Sequence, residues 1–282
     1  MNAGGEGGAM AMVGRMAASV IAVALMAAAA GAQQPAAPPV MPQTVMPDKV
    51  WPASAARVDF AALQKLPDWR GIWAPIMGGG PKPEIPQLIG KYKAHYDQTQ
   101  QLIKSGDPEA LLKVERRASA CEPPGMPGIM TQPYNIEFLF TPGRVTIIQE
   151  AYMQVRRVFT DGRPLPDDPD PTYNGASIGK WDGDTLVVTT IGLRDGGTMG
   201  RWGITYSDKV RQTERIHLDP ADKDVLVVEN SFEDPKALAA PWHSVYRYKR
   251  QRGFDQIEFV CAQNDRNPIN DKGEVEFLGV HK

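Results

Sequence analysis

The chain is poor in the residues that most metal and redox chemistry needs. Only 4 of its 282 residues are histidine and only 2 are cysteine. The histidines, His95, His217, His243 and His281, nowhere stand at a ligand spacing such as His-x3-His, so no metal centre is expected. An excess of either charge is also missing. The 31 Lys and Arg balance 33 Asp and Glu to a formal charge of −2, which argues against a basic nucleic-acid surface and an acidic tail. Beyond residue 32 no hydrophobic run is long enough for a helical membrane span. The glycine patterns lack the strand–loop–helix context of a nucleotide site, and no cofactor is expected.

What is present begins with a leader. Arg15 is followed by an apolar run over residues 16–30, broken only by Ser19 and ending in Ala30-Gly31-Ala32, a small-x-small cleavage pattern. This predicts a signal peptide over residues 1–32 and a periplasmic or secreted protein. The run is too short and too rich in alanine for an anchor, which takes about 20 strongly apolar residues. In an oxidising compartment Cys121 and Cys261 can pair in only one way. The chain-entropy model gives such a loop about 4–5 kcal/mol as an upper figure, and the alternative is two free buried thiols. Residues 33–56 are rich in Pro and Ala and read as an extended tether. Residues 57–282 then form a single domain of about 225 residues, a size that suits one large β-structure.

The 27 glycines and 25 prolines fit short strands joined by turns. A short helix is expected over residues 58–66. Helical composition covers 87–118, interrupted at Gly106-Asp107-Pro108, where Asp107 can cap a second helix that has Pro108 at its first position. About ten runs have strand composition: 68–73, 135–141, 144–150, 152–160, 177–181, 186–191, 204–218, 225–232, 244–250 and 254–262. Asp182-Gly183-Asp184 between two such runs signals a hairpin. Consecutive strands at this spacing favour a meander that closes to remove its edges. The expected fold is mainly β, a closed or nearly closed antiparallel barrel with an N-terminal helical excursion.

Several segments carry a resemblance. They are CEPPGMP (121–127), PYNIEFLFTPGRVTIIQE (133–150), QVRRVFTDGRPLP (154–166) and DPDPTYNGASIGKWDGDTLVVTTIGL (168–193), followed by SDKVRQTERIHL (207–218), FEDPKALAAPW (232–242) and VCAQNDR (260–266). Together they resemble a largely uncharacterised family of exported bacterial proteins. The resemblance implies a lipocalin-like closed barrel and an exported location, but no reaction. The family pattern has histidine where this chain has Ala176 and Tyr206. Any histidine chemistry of relatives is therefore lost or changed here.

Candidate chemistry is sparse. Gly175-Ala176-Ser177-Ile178-Gly179 matches Gly-x-Ser-x-Gly, but a strand and a hairpin follow Ser177 instead of the helix that a nucleophile elbow needs. Charges within strand runs are more informative: Glu137, Glu150, Arg156 with Arg157, Glu214 with Arg215, and Glu229. Barrel side chains alternate between lumen and exterior, so one member of each adjacent pair points inward, where a charge must be paired. One reading is an ion-pair lattice or a solvated face. The other is a polar cluster of Glu150, Arg157, Tyr206, Glu214 and His243 beside a cavity, with Trp181, Trp202 and Trp242 as an aromatic wall. Tyr206 and Glu214 share a face if residues 204–218 are one regular strand. The expected function is binding of a small apolar or aromatic molecule in the cavity. The alternatives are a cofactor-independent lyase, isomerase or hydrolase acting on such a molecule, and a structural module of the envelope. Ligand, reaction and oligomeric state are open at this level.

Overall fold

Strands that alternate in direction can close into a ring only if their number is even. This chain closes nine. In the computed structural model they run in chain order around the barrel: β1 (Ile72–Pro75), β2 (Ile136–Thr141), β3 (Arg144–Gln149), β4 (Gln154–Phe159), β5 (Ala176–Asp182), β6 (Thr185–Ile191), β7 (Arg211–Leu218), β8 (Val225–Glu233) and β9 (Trp242–Gln251). Two helices precede β2: α1 (Phe60–Leu63) and α2 (Gly90–Ser105). The structure describes residues 59–78, 84–107, 110, 121–199 and 203–261, all within the compact unit Trp51–Lys282. The expected leader, the tether, Trp202, His281 and most of the second helix lie outside the described residues. At the start of that helix, Asp107 Oδ1 accepts from the Ala110 amide at 3.0 Å, as its capping role requires.

With nine strands, one neighbouring pair must be parallel. That pair is β4–β5, matched only at Val158–Ser177 and Phe159–Ile178. Every other pair is antiparallel, including β1–β9, which closes the ring. The barrel is therefore mixed, where a purely antiparallel one was expected. The proline-punctuated segment between β4 and β5 is the crossover that carries the chain back to the other end; parallel neighbours need roughly a dozen residues or more for this.

Two strand expectations fail for physical reasons. Residues 254–262 have strand composition, but β9 already pairs with β1, so no edge is left for them. Residues 254–261 run instead across the β3–β4 connection, with Phe259 packed on Tyr134 (5.0 Å) and Tyr152 (5.2 Å). The run 204–218 becomes β7 only from Arg211. Upstream, the buried Asp234 carboxylate accepts from the Ser207 amide and hydroxyl, both at 2.7 Å, and holds a turn there.

Alternation fills the barrel. One end carries the tight β2–β3 and β5–β6 turns and the longer β7–β8 loop, and we term it the turn end. Trp69 lies there against Phe138 (5.1 Å), Phe140 (5.5 Å) and Trp181 (5.3 Å). Leu186, Ile216 and Leu226 are fully buried in the same half. The β5–β6 hairpin turns at Gly183-Asp184, with a positive φ (59°) confined to Gly183, as a Gly-first two-residue turn requires. Helix α2 lies outside the barrel and buries only Tyr92 and Thr99, a narrower apolar face than its composition suggests. Tyr92 and Lys91 both donate to Asp195, at 2.8 and 2.7 Å. Among the described residues no helix is long and apolar enough to cross a membrane.

Cys121 and Cys261 form a disulfide with their Cα atoms 5.7 Å apart, across 140 residues. It ties the segment entering β2 to the chain leaving β9. Thiol labelling of the unfolded, non-reduced protein is expected to find no reactive cysteine, and two labelled thiols per chain would refute the bond. Cys121→Ser should lower the denaturant midpoint, with a loss of up to about 4–5 kcal/mol.

Candidate functional site

The end opposite the tight turns, the lid end, has a polar interior. Along β4 the inward positions are Gln154, Arg156 and Val158, so the Arg156 guanidinium enters the lumen while Arg157 faces out. Arg156 reaches across the β4–β5 seam. Nη1 donates to Glu214 Oε1 at 3.0 Å and Nη2 to Glu214 Oε2, closing a bidentate pair between β4 and β7. Nη2 also donates to Thr190 Oγ1 (2.9 Å) and Ser177 Oγ (3.4 Å), and those two hydroxyls bond each other at 2.8 Å. Arg156 and Glu214 are 1% and 0% exposed. Nearby, Gln212 Nε2 donates to Asn230 Oδ1 (2.9 Å), and Gln149 Nε2 faces the Met130 sulfur at 3.1 Å.

A lid closes this end. Met126, Ile129 and Met130, around the 3-10 turn Gly128–Thr131, are buried over it with Met199. Three tyrosine hydroxyls hold lid carbonyls: Tyr206 donates to Met126 O (2.6 Å), Tyr248 to Met130 O (2.6 Å) and Tyr246 to Met199 O (3.2 Å). Burial pushes the Tyr246 phenol up to about 12, and the Glu214 carboxylate adds to the rise. Burial also raises Tyr248 well above the ordinary phenol value, with Tyr246 and Glu214 contributing. The lumen is thus occupied by the protein's own side chains at both ends.

The residues singled out from the sequence do not gather at one point. Glu214 is in the lumen, paired with Arg156. Arg157, expected in the same cluster, is on the outer face. Tyr206 is buried at the lid but precedes β7, so the shared-strand argument does not apply. Glu150 is buried at the β3–β4 connection, where Oε2 accepts from Asn135 Nδ2 (2.9 Å) and the Ile257 amide (3.4 Å). His243 is exposed on the outer face of β9, opposite Ser231. Trp181 packs at the turn end. Trp242 stacks on Phe232 (5.3 Å, 27°) at the lid end, where its Nε1 donates to Glu84 O at 2.7 Å. The two tryptophans therefore form no common wall. The sequence reading missed Gln149, Thr190, Gln212, Asn230 and Asp234. The motif Ser207-Asp208-Lys209 carried a usable signal, since Ser207 Oγ accepts from the Lys209 amide at 3.0 Å in a serine turn. Among the described residues no group of His, Cys, Asp and Glu could hold a metal ion.

Outside the barrel, the seam leaves an opening. Gln154 to Arg157 have β3 on one side and no strand on the other. The end of the crossover spans the gap: Asn174 Nδ2 donates to Gln154 Oε1 (3.2 Å) and to Val155 O (3.5 Å). A cleft of about 350 Å³ remains, lined by Val155, Arg157, Phe159, Tyr173 and Asn174 among others. That volume lies within the usual range for small-ligand sites, about 300–1,000 Å³. No family model matches this chain, and no curated protein matches it.

Two predictions follow from the lumen. Arg156→Met or Glu214→Leu alone leaves an uncompensated buried charge and should cost about 3–5 kcal/mol, whereas the double variant should lose less than either single. A double loss equal to the sum of the singles would show that the two groups do not act as a pair. Tyr246 has a folded pKa above its unfolded value of about 10. Its contribution to stability is therefore complete below pH 10 and is lost as pH rises through about 12. Phenolate absorbance should show a class of tyrosines, Tyr246 and Tyr248 included, that ionise only with unfolding. In Tyr246→Phe that class should shrink.

Proposed function

We propose that the chain is an exported barrel that binds a small molecule in the cleft beside the β4–β5 seam, not in the lumen. One observation carries the reading: the lumen is filled by side chains, while the wall opens where β4 has lost its neighbour. Val155, Phe159 and Tyr173 offer apolar and aromatic surface, which suits a flat ligand. Export is supported by the leader and by a disulfide that persists in oxidising compartments. Membership of the exported family with lipocalin-like barrels is part of the same proposal. A general acid–base role for Glu214 is disfavoured, because both carboxylate oxygens are engaged by Arg156.

The filled lumen also favours a second reading, a structural module of the envelope. Native mass spectrometry of protein purified from its own compartment separates the two. A copurified small molecule is expected. Val155→Trp, which fills the cleft from an exposed position, should lose it without a change in circular dichroism. A protein that carries nothing, and that no member of a metabolite library stabilises thermally, would return the structural module.

A further inference from the structure

Resting on the cleft reading, we infer that the ligand is an organic acid with a flat apolar body. Its carboxylate pairs with Arg157, and an N–H or O–H close to it is donated to Asn174 Oδ1. The charge argument comes first. The cleft lining contains no acidic residue, and Arg157 forms no ion pair among the described residues. A second guanidinium, Arg194, lies 4.7 Å from the centre of the Tyr173 ring but does not itself line the cleft. A third, Arg163, sits 3.8 Å from the Phe159 ring centre but is neutralised by Asp161 at 2.6 Å. The carboxylates of the crossover, Asp167, Asp168 and Asp170, do not line the cleft. An anion entering it therefore meets uncompensated positive charge beside two aromatic rings.

The donor argument is independent. A short relay fixes which way the amides point. Gln154 Nε2 donates to Tyr152 O (3.4 Å), which leaves Gln154 Oε1 to accept from Asn174 Nδ2 (3.2 Å). Asn174 Nδ2 is thus turned toward the protein, and Asn174 Oδ1 has no protein partner and almost no accessible surface, so a ligand in the cleft reaches it after a small turn of the Asn174 side chain. A buried amide oxygen is an acceptor only, so it calls for a donor. An acid with a neighbouring N–H or O–H answers both groups, as an N-acyl aromatic amino acid or an aryl hydroxy acid does. A plain hydrocarbon answers neither.

Calorimetric titration with three probes tests this: N-acetylphenylalanine, its methyl ester, and 3-phenylpropionate, which keeps the acid and lacks the N–H. The acid with its N–H should bind about tenfold tighter than the ester, the scale of one charge-assisted hydrogen bond, and 3-phenylpropionate should fall between them. In Arg157→Gln, an exposed substitution that leaves the fold intact, acid and ester should bind equally. Equal binding of acid and ester to the natural protein would overturn the acid and leave the cleft reading standing. An acid preference that survives in Arg157→Gln would overturn Arg157 as its anchor. Binding of 3-phenylpropionate as tight as that of N-acetylphenylalanine would overturn the donor to Asn174. If none of the three binds, the inference fails, and the cleft reading is then judged separately by the molecule that copurifies.

Discussion

The Arg156–Glu214 pair holds the barrel together where its backbone does not. Most neighbouring strands around the ring share a longer hydrogen-bonded ladder, although β1 and β2 are matched only at Ile72–Glu137 and Trp73–Ile136. Between β4 and β5 only two residue pairs are matched. Arg156 spans that gap with its side chain, bonding Ser177 on β5, Thr190 on β6 and Glu214 on β7. Two charges taken out of water are costly, and the cost is offset only when the geometry is good and the remaining protons find acceptors. Here the bidentate fork and the two hydroxyls engage both guanidinium NH2 groups, while the buried Nε has no partner among the described residues. The pair is best understood as a replacement for missing ladder bonds.

The same economy explains why the lumen is closed. Once a charged pair sits at the lid end, water must be kept out for the pair to retain its strength. The lid does this with apolar Met126, Ile129 and Met130, while three tyrosines satisfy its carbonyls. The disulfide fixes the chain just before this lid to the segment after β9. A barrel sealed in this way has little room for a guest inside. Open space is found instead on the outer face of the seam, where the strand order leaves a cleft and the unpartnered Asn174 Oδ1.

Local signals in the sequence translated well. The Gly183 turn, the Asp107 cap and the strands from β2 to β9 follow from turn residues and alternation. Features that depend on the whole ring were not legible. The parallel pair follows from an odd strand count, which no single segment reveals. Residues 254–262 look like a strand and find no partner, because β1 has already taken the edge. Of the candidate site, Glu214 points into the lumen. Alternation alone cannot separate Arg157 from Arg156, because the run Val155-Arg156-Arg157-Val158 has one valine and one arginine at each parity. Pairing with β3 decides the matter: Val158 is fully buried and Val155 is 40% exposed. Tyr206 was aligned with Glu214 on a strand that the Ser207–Asp234 contact breaks.

A ring with a thin joint, such as β4–β5 or β1–β2, has latent edges. If the seam opened, β4 and β5 would become the rims of a curved nine-stranded ribbon, free to recruit other chains through their main-chain groups. The sequence at that joint reads as a defence against polymerisation. Arg156 and Arg157 sit side by side on one rim, and Lys180 is on the other. Like charges on both rims disfavour rim-to-rim stacking between molecules, whereas within one molecule Glu214 neutralises Arg156 and lets the joint close. The residues that complete the cylinder thus also bias it toward closing on itself and away from growing into a fibre.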